Sequence, residues 1–243
     1  MDDYFYGQFL NILKMKTVII TGANGNLGTA VTNKFLGSGY SVISTVIDED
    51  AKKEMPSHEK LDINVVNLAN ESETGSFADR VIQKYKRVDA ALMLAGGFAM
   101  GNINETTGAD LHKFFALNFE TAFYLARPLF RHMIENESGR LVFIGARPAL
   151  NAADGKNMIA YGLSKSLLFK LAEYLNAEAK GKNVTATVVV PSTIDTPPNR
   201  KSMPNVNPDK WVKPAQLADI LEFIVSDKGN PIRETVLKVY NNA

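Results

Sequence analysis

The 243-residue sequence predicts an α/β fold: a doubly wound, mostly parallel sheet of seven strands with helices on both faces. Three observations predict it. Runs rich in Val and Ile alternate with helix-length periodic segments, the pattern of repeated βαβ units. The runs are almost continuously hydrophobic, as strands buried on both faces require. The first run passes directly into TGANGNLG (21–28), a glycine-rich turn that opens the first helix.

Taken in order, TVIIT (17–21) is the first strand, and the periodic segment 26–37 the first helix. SVISTVI (41–47) and LDINV (61–65) are the second and third strands, followed by a helix over 71–86. DAALML (89–94) is the fourth strand, and one long helix spans 110–135. RLVFIG (140–145) leads to a helix over 157–180, TATVVV (185–190) to one over 214–225, and TVLKVY (235–240) closes the sheet. The longest aperiodic stretch is PSTIDTPPNRKSMPNVNPDKW (191–211), with five prolines. A loop of that length inside a compact domain is functional or disordered.

Residues 15–243 read as a single domain, preceded by an extension over 1–14. The N-terminal stretch carries Asp2 and Asp3 where a secretion signal has bases, so it reads as an appendage, or Met15 is the start. No apolar run reaches the roughly 18 residues of a membrane span. A net charge of +1 gives no electrostatic case for nucleic acid or an anionic membrane, so a small-molecule partner is expected. The absence of cysteine excludes disulfides, zinc-thiolate sites and a thiol nucleophile, and is compatible with the cytoplasm, the expected location. His58, His112 and His132 lack ligand spacing, so no metal is expected.

In TGANGNLG, Gly22, Gly25 and Gly28 permit a tight turn, close backbone approach to a pyrophosphate and close helix-on-strand packing, with Asn24, Asn26 and Leu27 between them. That is the turn of a Rossmann fold and implies NAD(P)H; the alternative is a βα turn that binds nothing. At the tip of the second strand, Asp48 stands either within reach of ribose hydroxyls or in a solvated acidic turn, which leaves NADH against NADPH open.

Tyr161 and Lys165 lie four apart on a helix and share a face. An ammonium beside a phenol favours the phenolate and brings the group nearer to a general acid useful at neutral pH. Yet no serine or threonine lies between Gly139 and Gly162, so no second hydroxyl precedes this tyrosine.

These motifs together resemble the short-chain dehydrogenase/reductase family across residues 15–240. The resemblance implies Tyr161 as proton donor, Lys165 holding the nicotinamide ribose, and Asn118 as the asparagine that orders a water beside the lysine. It implies cofactor contacts from Ala95, Gly96 and Gly97 after the fourth strand, from Asn67 and Leu68 beside the adenine, and from Pro191, Ser192, Ile194 and Thr196 beside the nicotinamide. ALNFETAFYLARPLF (116–130) matches a helix by which that family forms dimers, so a homodimer or homotetramer is expected. Where the family has its carbonyl-polarising serine, this chain has Gly145, Ala146, Arg147 and Pro148.

A narrower resemblance accounts for that gap. VDAALMLAGGFAMGN (88–102), MIAYGLSK (158–165) and TIDTPPNRKSMPN (193–205) are similar to the dihydropteridine reductase branch, which also lacks the serine and reduces quinonoid dihydropterins. Such an acceptor is a conjugated imine already electrophilic enough to take hydride without a hydroxyl at a developing alkoxide. The resemblance implies a substrate wall of Phe98, Ala146, Arg147, Met158 and Met203. Apolar members of that wall, with Met100 and Trp211, are of a kind more often found in the core, Arg147 faces substrate or stays on the surface, and Arg200 and Lys201 read as a solvated loop or a mobile lid. This chain departs from the branch in having Val46 where an acid stands and in keeping Asn118. Two further readings remain: an ordinary carbonyl reductase in which Ser192 or Thr193 replaces the missing serine, and a catalytically silent cofactor-binding protein.

Overall fold

Alternation along the first strand shows how the layers form. Val18 and Ile20 face one side of the sheet and Ile19 the other, and all three are fully buried. The computed structural model describes residues 15–242, and the 1–14 extension expected above lies outside the described residues. Seven strands form one sheet: β1 (Thr17–Thr21), β2 (Ser41–Val46), β3 (Leu61–Val65), β4 (Ala90–Met93), β5 (Ser138–Ile144), β6 (Asn183–Pro191) and β7 (Val236–Val239). Their order is β3-β2-β1-β4-β5-β6-β7, and every pairing is parallel. The order reverses between β1 and β4, which opens a crevice at the carboxyl ends of the strands.

The helices are α1 (Asn26–Gly37), α2 (Glu49–Lys53), α3 (Glu71–Tyr85), α4 (Gly108–Phe115), α5 (Thr121–Glu135), α6 (Ala152–Gly155), α7 (Ile159–Glu178), α8 (Pro197–Ser202) and α9 (Pro214–Val225). One face of the sheet packs Ile19, Ile43, Leu141, Phe143 and Val188 against Phe77 of α3, Leu125 and Leu129 of α5 and Leu168 of α7. The other packs Val18, Ile20, Val42, Leu92 and Val142 against Val31 and Phe35 of α1 and Leu217 and Leu221 of α9. Two apolar layers of this kind make the sheet rigid and leave its carboxyl-end loops to carry the chemistry.

Two local features depart from the sequence reading. The single helix expected over 110–135 is α4 and α5 joined by a π turn, Ala116–Glu120. There the Thr121 amide reaches back five residues to the Ala116 carbonyl, while the Thr121 hydroxyl takes the Leu117 carbonyl at 2.8 Å. The proline-rich stretch 191–211 is ordered: it holds α8 and a 3₁₀ turn, Pro208–Lys210, each capped by a side chain, Thr196 and Asn207.

Candidate active site

The site begins with the turn after β1. Gly22 takes a left-handed φ of 62°, and the Gly25 amide closes the turn on the Gly22 carbonyl at 3.1 Å. A Cβ at Gly28 would meet that carbonyl at 2.1 Å, so only glycine lets α1 sit this close to the strand. Asp48, Asn70 and Thr107 cap α2, α3 and α4 with their side chains. The N-cap of α1 is Gly25, without a side-chain cap, and Asn26, Leu27 and Gly28 of its first turn bring no acid. A long helix whose N-terminus is stripped of competing anions beside a glycine cradle fits a pyrophosphate.

Thr21 ties this turn to the neighbouring strand. Its hydroxyl accepts from the Leu94 and Ala95 amides, both at 2.9 Å, and donates to the Leu92 carbonyl. The exit of β4, Ala95–Gly97, is thereby drawn against the glycine turn, where a Cβ on Gly22 would lie 3.2 Å from Ala95. Nothing in the spacing of TGANGNLG marks Thr21 for this role. Its place opposite the bent end of β4 appears only when the sheet is assembled.

At the β2 edge, Asp48 is the N-cap of α2, its carboxylate accepting from the Ala51 amide at 2.8 Å. Asn67 is exposed and caps its own turn through the Ala69 amide, and Leu68 is buried in the core. Asn24 is half-buried on the turn itself.

Tyr161 and Lys165 stand on the first turns of α7, facing the ends of β4 and β5. The Lys165 Nζ donates to the Ile144 carbonyl at 2.9 Å and is buried. Burial pulls its pKa down to about 8, and burial pushes the Tyr161 phenol up to about 12. The sequence reading had the ammonium lowering the phenol. In this structure desolvation governs both groups, and the ammonium is held by a backbone carbonyl.

Asn118, in the π turn, is buried, and both ends of its amide are hydrogen-bonded. Its Oδ1 accepts from the Gly97 amide at 2.8 Å, and its Nδ2 donates to Ser164 Oγ at 3.0 Å. Ser164 in turn donates to the Tyr161 carbonyl at 2.8 Å. Asn118 thus fastens the β4 exit to the helix that carries Tyr161. A Cβ on Gly96 would fall 2.7 Å from Asn118 Oδ1 and 3.2 Å from Lys165 Nζ, so these three residues converge on one point. The link through Ser164 was legible only as the S of YGLSK.

On the open side, Phe98 is 60% exposed and lies edge-on to the Tyr161 ring, centroids 5.1 Å apart. Its loop is fixed at both ends, by Asn118 at Gly97 and by a bridge between Gly101 and Met158, where Gly101 donates to the Asn157 carbonyl at 2.7 Å. Met100 is exposed beside it, whereas Trp211 is buried and belongs to the core. Ala146 is buried after β5, and Arg147 pairs with Asp154 at 3.2 Å and lies over the Tyr240 ring. Pro191 ends β6. Ser192 donates to the Tyr240 carbonyl at 2.8 Å, Ile194 bridges to Val212, and Thr196 caps α8, whose C-cap is the half-buried Met203. The engagement of Tyr240 with both Ser192 and Arg147 had no sequence signal, because 48 residues separate Ser192 from it.

Among the described residues no group of acids and histidines is arranged to hold a metal ion, and no helix is long and apolar enough to cross a membrane. Comparison with known proteins agrees with the geometry. The family model for short chain dehydrogenases matches residues 16–207. The chain is 27% identical to dihydropteridine reductase of Dictyostelium discoideum over 227 residues, 92% of this chain and 94% of that protein. It is also 27% identical to a 3-oxoacyl-(acyl-carrier-protein) reductase of Buchnera aphidicola, over 93% of this chain and 96% of that one. A solved structure of ElxO with NADP bound shares the fold at a TM-score of 0.86 and 22% identity, covering 93% of this chain and 97% of that chain. With the glycine cradle, the Tyr161–Lys165 helix and this match in place, the chain belongs to the short-chain dehydrogenase/reductase family of NAD(P)-dependent oxidoreductases.

Proposed function

We propose that this chain reduces a quinonoid dihydropteridine or a similar planar conjugated acceptor, with Tyr161 donating the proton. One observation carries the reading: the place after β5 from which a hydroxyl would polarise a carbonyl holds an alanine. Ala146 occupies that place after β5, and the nearby Ser192 and Ser164 hydroxyls already donate, to the Tyr240 and Tyr161 carbonyls. The arrangement suits an acceptor that needs a proton and a flat apolar wall more than electrophilic assistance.

When bound, the reduced nicotinamide supplies the hydride. Gly22, Gly25 and Gly28 with the N-terminus of α1 would hold its pyrophosphate, and Ala95–Gly97 and residues 191–196 would border the rest. Phe98 offers the acceptor a ring already set against Tyr161, with Met158 and Arg147 on the neighbouring walls. Tyr161, kept protonated at neutral pH by burial, is the proton donor of this reading, with the Lys165 ammonium one helical turn away on the same face. Asp48, Glu49 and Asp50 at the β2 edge favour a ribose without a 2′-phosphate. The face of α5 and α7, with a groove of about 350 Å³ lined by Phe123, Phe130, Leu171 and Leu175, is assigned to a homodimer.

An ordinary carbonyl reductase is the second reading, favoured by Asn118, which joins the tyrosine helix to the β4 exit, and by the oxoacyl reductase among the relatives. Stopped-flow oxidation of NADH and NADPH, with freshly generated quinonoid dihydropterin and with a panel of aldehydes and ketones, separates the two. Rapid turnover of the pterin is expected, lowered about 10² to 10⁴-fold by Tyr161→Phe. Turnover of carbonyls alone would transfer the assignment to the second reading.

A further inference from the structure

The amino end of the sheet, opposite the cleft, holds two guanidiniums on one oxygen. Arg140, near the start of β5, is buried, and its terminal nitrogens donate only to uncharged oxygens. Nη1 donates to the Gly139 carbonyl at 2.8 Å and the Asn183 carbonyl at 2.7 Å, and Nη2 to Asn183 Oδ1 at 2.8 Å and Asn230 Oδ1 at 2.6 Å. Arg233, exposed on the segment that leads into β7, places its own Nη2 on the same Asn183 Oδ1 at 3.0 Å. A neutral amide oxygen thus stands between two positive charges.

Like charges so close repel, and most strongly where water is excluded. Burial pulls the Arg140 pKa down, the neighbouring Arg233 pulls it further, and Asp227 opposes them. The acids at this end are engaged elsewhere: Asp227 with Lys16 at 2.6 Å, Asp89 with Arg87 at 2.6 Å, and Glu137 with Lys182 at 3.5 Å. Among the described residues neither Arg140 nor Arg233 has a carboxylate within 4.0 Å. A buried cation is ordinarily matched by a charge of opposite sign. The forks of two guanidiniums fit the oxygens of a phosphate, and the exposed Arg233 gives such an anion access.

We propose that Arg140, Asn183 and Arg233 form the base of a binding site for a small tetrahedral oxyanion, of the class of inorganic phosphate, at the amino end of the sheet. Arg233 contacts the anion, and the buried Arg140 supplies the second charge behind it. Asn230 and Arg233 belong to the segment before β7, so the bound anion fastens that edge strand to β5 and β6. The site is separate from the glycine turn and independent of which acceptor is reduced.

Calorimetric titration of the full-length chain with inorganic phosphate tests it, with NADH saturating so that the glycine turn is filled and with chloride holding the ionic strength constant. The parent chain should bind phosphate, and Arg233→Gln should bind it about tenfold more weakly, as loss of a charge-assisted contact predicts. Arg233→Lys, which keeps the charge but not the fork, should fall between them. Phosphate should raise the Tm of the parent more than that of Arg233→Gln, because its exclusion from the protein surface acts on both alike. Asn183→Asp sets a carboxylate between the two guanidiniums. In chloride alone it should unfold about 2–4 °C above the parent, and its response to phosphate should be lost. Equal phosphate affinity in the parent and Arg233→Gln would overturn the site. An Asn183→Asp chain no more stable than the parent would overturn the shortage of negative charge on which it rests.

Discussion

Lys165 and Tyr161 show how far residue types alone go. Their spacing placed both on one helix face, and the structure keeps them there, on α7 against the ends of β4 and β5. Their electrostatics were not legible, because burial is a property of the assembled pocket. A folded pKa of about 8 for Lys165, against 10.5 when unfolded, means that the unfolded chain carries the extra proton between those values. Stability therefore rises with pH from about 8 to 10.5, by up to ~3 kcal/mol from this group. Above pH 10 the raised Tyr161 pKa, about 12, acts the other way, and stability falls as the unfolded phenol ionises first. Urea unfolding at pH 7.5 and 9.5 should show the rise, and Lys165→Met should flatten it while abolishing turnover. In the enzyme itself, kcat/KM should fall as pH climbs through about 8 and the ammonium is lost; a profile level to pH 9.5 would detach Lys165 from the rate.

At the scale of elements, the glycine turn was fully readable and the joints between elements were not. TGANGNLG announces its own geometry because glycine is the only residue whose lack of a side chain is a local instruction. Gly28→Ala should push α1 off the Gly22 carbonyl, which a Cβ would approach to 2.1 Å, lowering stability by about 1–3 kcal/mol and NADH affinity at least tenfold. Thermal unfolding and fluorescence titration check the two effects together. The π turn at Ala116–Glu120 is the contrary case. Apolar periodicity runs smoothly through 110–135 and gives no sign of one extra residue in the turn, yet that residue swings Asn118 onto Gly97 and Ser164.

For the whole molecule, the seven-stranded sheet leaves the α5–α7 face with an apolar groove and with Leu163, Leu167 and Tyr174 exposed nearby. Two copies meeting there would cover these apolar side chains. Light scattering at micromolar concentration should therefore give at least a dimer, and Phe123→Glu in the groove should shift it toward monomer. A parent chain that scatters as a monomer would remove this face from the assembly.

Periodicity and glycine placement are local, so the alternating elements, the parallel sheet, the glycine turn and the tyrosine helix could all be derived from residue order. What lies between distant segments had to wait for the fold. Ser192 and Tyr240 are 48 residues apart, and only their meeting decides that the Ser192 hydroxyl is spent on a backbone carbonyl. Desolvation of Lys165, the meeting of Arg140 and Arg233 on Asn183 and the setting of Phe98 against Tyr161 likewise come from packing. A sequence states which groups are present, but hydrogen-bond partners and the loss of water are fixed by neighbours in space.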